Sequence, residues 1–123
     1  MESITKRVAG NLGEDEACRF LKKNGYRILE RNFTIRGGEI DIICEKGEYV
    51  VFVEVKLRKN TNFGTPGEFV GKNKQERLKK AAQAYLLKHP LEKYARFDVV
   101  EIIGDTNDGK LNVLKIGVIQ NAF

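Results

Sequence analysis

The chain has 123 residues, 41% of them hydrophobic and 32% charged, and carries a formal net charge of +5. This size and composition predict one globular domain spanning residues 1–123, and the moderate basic excess permits a polyanionic partner without requiring one. The longest apolar run, Val50 to Val53, is too short to cross a bilayer, and the first residues lack a signal peptide's apolar region, so we expect a cytoplasmic protein without membrane contact.

The first half of the chain predicts a helix followed by three strands. Ala17, Phe20 and Leu21 recur at helical spacing, which indicates a helix from Asn11 to Lys23 that ends at Asn24-Gly25. Alternating and β-branched segments then predict three strands: Tyr26 to Thr34, Glu39 to Cys44 and Tyr49 to Val55. With turns between them, these strands are expected to form an antiparallel meander.

The second half predicts a long loop, a helix and two more strands. Residues Leu57 to Gly71 are rich in Asn, Thr, Gly and Pro, which is typical of an irregular loop, and Lys72 to Lys88 has an apolar helical stripe. Two strands follow, Phe97 to Ile103 and Leu111 to Ile119. Because a strand-helix-strand crossover places its strands in parallel, we predict an α/β (α+β) fold of order α-β-β-β-α-β-β. Its mixed five-stranded sheet is flanked by helices.

Cysteine and histidine are scarce, which limits the available chemistry. Cys18 and Cys44 lie among apolar residues without metal-ligand spacing, so we expect buried, reduced thiols. The single histidine, His89, excludes histidine-rich zinc sites and argues against mechanisms that combine serine or cysteine with histidine. Any catalysis must therefore use Asp, Glu and Lys, with or without a hard metal ion.

Polar residues on the second and third strands indicate where such chemistry would lie. Glu39 and Asp41 share one face of the second strand, and Glu54 and Lys56 share one face of the third, because strand side chains alternate with a period of two. A two-residue loop between the strands puts all four on the same side of the sheet. Three acids and a lysine are therefore expected to converge at one end of the hairpin.

A divalent cation would suit such a cluster, because neighbouring carboxylates repel each other and are costly to desolvate. Mg²⁺ or Mn²⁺ prefers carboxylate, carbonyl and water ligands, which Asp41, Glu54 and the Val55 carbonyl could supply. Lys56 could orient or deprotonate an attacking water. Glu14 lies on the buried stripe of the first helix, so it could reach the same site.

The positive charge is concentrated just after this cluster. Between Lys56 and Lys80 there are eight basic residues and two acidic ones, a local net charge of +6. Such a segment can neutralise phosphates, although a solvated helix face is the simpler interpretation of a charge run. The candidate nucleic-acid contacts are its basic residues and one aromatic residue that could stack on a base or anchor the loop: Arg58, Lys59, Phe63, Lys72, Lys74, Arg77 and Lys80.

These motifs resemble a known nuclease pattern. An acid in the first helix, Gly38-Glu39-Ile40-Asp41 and Val51-Phe52-Val53-Glu54-Val55-Lys56 look like the metal-dependent PD-(D/E)xK nuclease superfamily, with Ile40 at the proline position. Over nearly its whole length the chain is similar to the YraN-like family of small bacterial proteins. That family is assigned to the restriction-endonuclease-like fold and is related to archaeal Holliday-junction resolvases. Further matching pieces are Gly13-Glu14, Gly25-Tyr26, Phe63-Gly64, Lys74-Gln75, Arg77-Leu78, Tyr85-Leu86 and Arg96-Phe97-Asp98-Val99-Val100.

The resemblance implies specific roles and a specific activity. Asp41 and Glu54 would ligate Mg²⁺ or Mn²⁺, Glu14 would complete the acidic cluster, Lys56 would serve the attacking water, and Gln75 would be a supporting polar group. The implied activity is that of an endonuclease hydrolysing phosphodiester bonds in DNA, including branched or single-stranded structures. We expect DNA rather than RNA as the partner. The sequence leaves open whether the protein forms a homodimer.

Other interpretations of the same residues stay open from the sequence. The main alternative is a non-catalytic nucleic-acid-binding or adaptor protein that retains the nuclease fold, and a small protein-interaction domain with ordinary ion pairs is another. Glu39 is either a second ligand or an acid that orients its neighbours. For Asp98 we expect a structural role as a cap or as the partner of Arg96.

Overall fold

A computed structural model of the chain describes residues 6–59 and 70–123, with the side chains of the first helix from Gly10 onward. The elements are α1 (Lys6–Lys23), β1 (Arg27–Ile35), β2 (Gly38–Lys46), β3 (Tyr49–Arg58), α2 (Lys72–Lys88), β4 (Tyr94–Asn107) and β5 (Lys110–Ile119). The predicted α+β class and element order are confirmed. Neither helix in the described part of the chain is long and apolar enough to span a membrane.

The predicted element bounds agree best for α2 and least for β4 and for α1, which begins at Lys6 and not at Asn11. The range of α2, Lys72–Lys88, is the predicted one. β3 includes Leu57 and Arg58, which the sequence assigns to the loop, because both residues continue to pair with β4. β4 is longer than predicted, since its last residues pair with β5 in a hairpin. The remainder of the predicted loop, residues 60–69 with Phe63, lies outside the described residues.

The sheet has the order β1-β2-β3-β4-β5, and it is mixed because β3 and β4 are parallel while all other neighbours are antiparallel. Lys46 pairs with Tyr49 across a two-residue turn, and the same register continues to Ile42 opposite Val53. This confirms the predicted hairpin register, which brings Asp41 and Glu54 to the same end of β2 and β3.

Each face of the sheet buries its own apolar cluster, with α2 on one face and α1 on the other. The α2 cluster includes Phe33, Ile40, Ile43, Val50, Phe52, Leu78, Tyr85 and Val99. The α1 cluster includes Ala17, Leu21, Ile42, Cys44, Val51, Val53, Val100 and Ile102. Cys18 and Cys44 are free and buried, as predicted. Burying a Leu, Ile, Val or Phe side chain contributes about 1.5–3 kcal/mol, so these clusters hold both helices against the sheet.

The alternation of β2 changes at Asp41, which corrects one expectation from the sequence. A strict period of two puts Ile40 and Ile42 on the same face, but Ile40 packs in the α2 cluster and Ile42 in the α1 cluster. The neighbouring strand is also irregular here, because Asn32, which lies between the paired residues of β1, has a positive φ of 53°. Asp41 therefore lies where the strand changes face, at the border of both cores.

Helix α2 approaches the start of β2 closely. A Cβ atom on Gly38 would lie 2.4 Å from the carbonyl oxygen of Arg77, so this contact requires glycine. Leu78 and Ala81, on the same side of the helix, are buried in the α2 cluster. This packing holds the first turns of α2 beside the end of β2 that carries Asp41.

A buried polar network holds the other end of the sheet. Asp98 is fully buried, and its two carboxylate oxygens accept hydrogen bonds from Arg96 at 2.9 and 3.0 Å. Tyr26 donates to Asp98 at 3.1 Å, and the backbone N–H of Asn121 donates at 2.9 Å. The expected pairing of Asp98 with Arg96 is confirmed. The network joins the start of β1, strand β4 and the C-terminal residues.

Candidate active site

One cleft of about 440 Å³ opens at the end of β2 and β3, between the two helices. Its walls are formed by Gly10, Gly13, Glu14, Glu39, Asp41, Glu54, Val55, Leu57 and Lys74. The predicted cation ligands are therefore brought together, although they come from a helix and two strands: Glu14, Asp41, Glu54 and Val55. Glu39 also lines the cleft, although the alternation of β2 is interrupted at Asp41.

Asp41 is held in place by the backbone of the neighbouring strand. The Val55 N–H donates a hydrogen bond of 2.8 Å to Asp41 Oδ2, just beyond the last paired residues of β2 and β3. Burial raises the pKa of Asp41, and this hydrogen bond opposes the rise. The carboxylate thus takes the place of a backbone acceptor and is fixed at the mouth of the cleft.

Glu54 is a buried carboxylate with an unused oxygen. The residue is only 6% exposed, and Glu54 Oε2 has no hydrogen-bond partner among the described residues. Burial first, and then the charge of Asp41, raises the pKa of Glu54 to about 7. A buried acceptor without a partner is costly, so the side chain is suited to a cation in the cleft.

Glu14 has similar properties on the opposite wall. It is buried, and within the described residues its Oε1 has no partner at hydrogen-bond distance. Burial and the charge of Asp41 raise the pKa of Glu14, while Arg31 at 3.6 Å and the side chain of Asn32 oppose the rise. Arg31 also binds Asp15 at 2.8 Å, so it links the acids of α1 to β1.

Two lysines approach Glu54 from different elements. Lys74 of α2 lies 3.6 Å from Glu54 Oε1 and 3.6 Å from Glu39 Oε1, and it forms part of the cleft wall. Lys56 of β3 lies 3.9 Å from Glu54 Oε1 but does not belong to that wall. The sequence places Lys74 only among candidate nucleic-acid contacts. Lys74 lies four residues before Leu78, a residue of the buried stripe of α2, so the two share one helix face. That spacing is the signal that could have identified Lys74 as a residue of the cleft.

Gln75 and five of the six basic candidates, all but Lys74, lie outside the cleft wall. Gln75 Nε2 donates to the Val70 carbonyl at 2.8 Å, which fixes the chain where it enters α2. Arg58 lies 3.8 Å from Glu101 with most of its side chain buried, whereas Lys59 is largely exposed and 4.0 Å from Asp105. Lys72 is exposed at the start of α2. Phe63 is outside the described residues.

A second, basic hollow lies on α2 beside the β1–β2 turn. It has a volume of about 380 Å³ and is lined by Gly37, Asn73, Glu76, Arg77 and Lys80. Arg77 and Lys80 are exposed, and both are one or two turns along α2 from Lys74. The hollow therefore extends the positive surface away from the acidic cleft along the same helix.

The cleft has suitable donors for a hard cation without a preformed cage. Within residues 6–59 and 70–123, no three acid, cysteine or histidine side chains come together as a ready cation site. Mg²⁺ nevertheless needs only one or two carboxylates, since it retains several waters. Within the described residues, the buried oxygens Glu54 Oε2 and Glu14 Oε1 accept no hydrogen bond, and together with Asp41 they fit that requirement.

Comparison with known proteins identifies the family. A sequence model described as "Uncharacterised protein family UPF0102" matches residues 13–102. A UPF0102 protein of Acetivibrio thermocellus is 46% identical over 120 residues, covering 96% of this chain and 92% of that protein. One from Caldanaerobacter subterraneus subsp. tengcongensis is 42% identical over 124 residues, covering all of both chains. One from Caldicellulosiruptor bescii is 50% identical over 119 residues, covering 95% and 98%. The family-level resemblance drawn from the motifs is confirmed: the chain belongs to the UPF0102 family.

Proposed function

We propose that this protein is a Mg²⁺- or Mn²⁺-dependent endonuclease that hydrolyses phosphodiester bonds in DNA, including branched or single-stranded structures. The observation that carries the proposal is that half-buried Asp41 and buried Glu54 share one cleft, with Glu54 Oε2 unpaired among the described residues and lysines on two sides. The restriction-endonuclease-like assignment is part of this proposal.

The cation would be held by Asp41, Glu54 and the carbonyl oxygen of Val55, with Glu14 on the opposite wall. When bound, a divalent cation supplies Lewis-acid stabilisation of the charge that develops on the phosphate. The hydrogen bond from Val55 fixes the orientation of Asp41, so one of its oxygens stays available. Leu57 and Gly13, which lie close to each other, form an apolar part of the cleft wall.

Lys56 would act on the reacting groups through its charge. It lies beside Glu54, where it would orient the attacking water, and its ammonium would stabilise negative charge on the phosphate oxygens. Nucleic acid would approach along α2, where Lys72, Arg77 and Lys80 are exposed next to the cleft. Since the sequence contains no recognised base-reading motif, we expect recognition of backbone and shape.

A cleavage assay tests this proposal. Purified protein is incubated with single-stranded, duplex, flap and four-way-junction DNA, in Mg²⁺, Mn²⁺ or chelator. Glu54→Gln keeps the size of the side chain and removes its charge, and Glu92→Gln, at an exposed position, is the matched control. We expect cation-dependent cleavage that falls at least about 100-fold in Glu54→Gln and is unchanged in Glu92→Gln.

The other outcomes separate the alternatives. DNA binding without cleavage by the wild-type protein would favour the adaptor that keeps the fold. Cleavage that persists in Glu54→Gln and in Lys56→Ala would show that the chemistry lies elsewhere. Failure to bind any nucleic acid at low salt would leave the protein-interaction domain, because phosphate contacts are strongest at low ionic strength.

A further inference from the structure

We propose that Lys74 is an internal competitor for the cation site: its ammonium neutralises Glu54 in the cation-free protein and must leave that carboxylate when a divalent cation binds. Lys74 would then set the cation concentration at which the cleft fills. The inference rests on the proposed cation site, and its test is designed to separate the two.

The geometry places the ammonium where a cation is needed. Lys74 Nζ is 3.6 Å from Glu54 Oε1 and equally far from Glu39 Oε1, so it bridges a buried and a half-exposed acid. These distances are too long for strong hydrogen bonds, and Glu54 Oε2 remains unpaired among the described residues. Lys74 therefore offsets the negative charge of Glu54 but leaves one carboxylate oxygen without a hydrogen bond in the described part of the chain. A divalent cation could then displace the ammonium.

The second acid offers Lys74 an alternative position. Glu39 is half exposed, whereas Glu54 is almost completely buried. A shift of the flexible lysine side chain toward Glu39 would take the ammonium away from the cleft and keep it paired. The backbone need not move, since α2 is fixed against β2 by Gly38 and by the burial of Leu78.

Lys74 is better placed for this role than Lys56. Lys74 forms part of the cleft wall and comes from a separate element, while Lys56 lies outside that wall at 3.9 Å from the same oxygen. Lys74 Nζ is also the closer of the two ammonium groups to Glu54 Oε1, at 3.6 Å, and it contacts Glu39 as well. The two lysines would thus have different roles: Lys56 would act on the reacting water, and Lys74 would pair with a carboxylate that binds the cation.

Titration calorimetry of the full chain with Mn²⁺, at neutral pH and without nucleic acid, tests the competition. Lys74→Met keeps a long helix-favouring side chain and removes the charge, and we expect it to bind Mn²⁺ about tenfold more tightly than wild type, because like charges no longer repel. Lys74→Arg keeps the charge and should stay close to wild type. Lys80→Met, on the same helix, controls for general electrostatics and should change the affinity less than threefold.

If Lys74 only held the site in place, Lys74→Met would bind Mn²⁺ more weakly than wild type, because the site would be loosened. Thermal unfolding in chelator shows whether each variant is folded, and the gain in Tm on adding Mn²⁺ should be larger in Lys74→Met than in wild type. Equal or weaker binding by a folded Lys74→Met would overturn the competition and leave the cation site intact. Absence of Mn²⁺ binding in wild type and in Lys74→Met would overturn the cation site itself, and the competition with it.

Discussion

Asp41 Oδ2 accepts a hydrogen bond of 2.8 Å from the Val55 backbone N–H, where the pairing of β2 with β3 ends at Ile42 and Val53. The carboxylate takes the position of a strand acceptor, which lets the two strands separate without leaving that donor unpaired. The opening between them is the cleft that contains Glu54. A single side chain therefore both ends the ladder and supplies a candidate cation ligand.

The first prediction concerns this hydrogen bond. Asp41→Asn and Asp41→Ala both remove the charge that repels Glu54, but only Asn keeps an acceptor for Val55. We expect Asp41→Ala to be less stable than Asp41→Asn by about 1–2 kcal/mol in chemical denaturation, since a part-buried donor loses its partner. Both variants should lose Mn²⁺ binding. Equal stability of the two would show that the hydrogen bond contributes nothing.

The second prediction concerns the pH dependence of stability in chelator. Burial, with the charge of Asp41, raises the pKa of Glu54 from 4.5 to about 7, so between these values the folded protein binds more protons than the unfolded chain at this group. This contribution to stability is complete below pH 4.5 and is lost as pH rises through 7. Glu54→Gln should therefore gain stability relative to wild type over that range, on the order of 2 kcal/mol.

Denaturant unfolding of both proteins at several pH values measures this difference, and the exposed Glu92→Gln serves as the control. Saturating Mg²⁺ should remove the advantage of Glu54→Gln, because the cation stabilises the ionised wild-type carboxylate. A difference between the two proteins that stays constant from pH 4.5 to 7 would contradict the assigned burial of an ionisable Glu54.

The third prediction concerns the basic hollow on α2. Arg77→Ala and Lys80→Ala should each weaken DNA binding similarly for all sequences and reduce the slope of log K against log salt by about one. Lys88→Ala, an exposed position in the last turn of the same helix, is the matched control and should have little effect. Fluorescence anisotropy across a salt series measures both quantities. Equal losses of DNA affinity at all three positions would mean that DNA is attracted by the overall positive charge of the helix and not by the hollow.

The fourth prediction separates structural acids from those of the cleft. Asp98→Asn leaves Arg96 without its carboxylate in a buried network, so we expect a loss of about 3–5 kcal/mol in the free energy of unfolding. Asp108→Asn in the exposed β4–β5 turn, where a positive φ suits Asn, should be close to neutral. A loss below about 1 kcal/mol for Asp98→Asn would mean that the network does not hold the fold.

The sequence predicted the architecture because its signals are local. Helical spacing and the Asn24-Gly25 stop located α1, and β-branched runs located the strands, while the two-residue turn set the register that aligns Asp41 with Glu54. Glu14 was identified by its position on a buried helical stripe. The same logic applies to Lys74, but its place in a strongly basic segment made nucleic-acid contact the more obvious interpretation.

The remaining features depend on tertiary contacts that have no local signature. The change of face at Asp41 lies beside Asn32 of the neighbouring strand, which has a positive φ, and strict alternation of β2 would put Ile40 on the wrong face. The link from Arg31 to Glu14 and Asp15 joins elements that no spacing rule relates. The length of β3 depends on β4 continuing beside it, which overrides the loop-like composition after Leu57.

The proposed function depends on a divalent cation bound by Asp41 and Glu54 in the cleft. Anomalous diffraction from crystals of the wild-type protein and of Glu54→Gln, both soaked in Mn²⁺, would show whether this cation binds. We expect an anomalous peak beside the carboxylates of Asp41 and Glu54 and the Val55 carbonyl in wild type, and its loss in Glu54→Gln. Mn²⁺ peaks found only elsewhere on the wild-type protein, or an unchanged peak in Glu54→Gln, would contradict it.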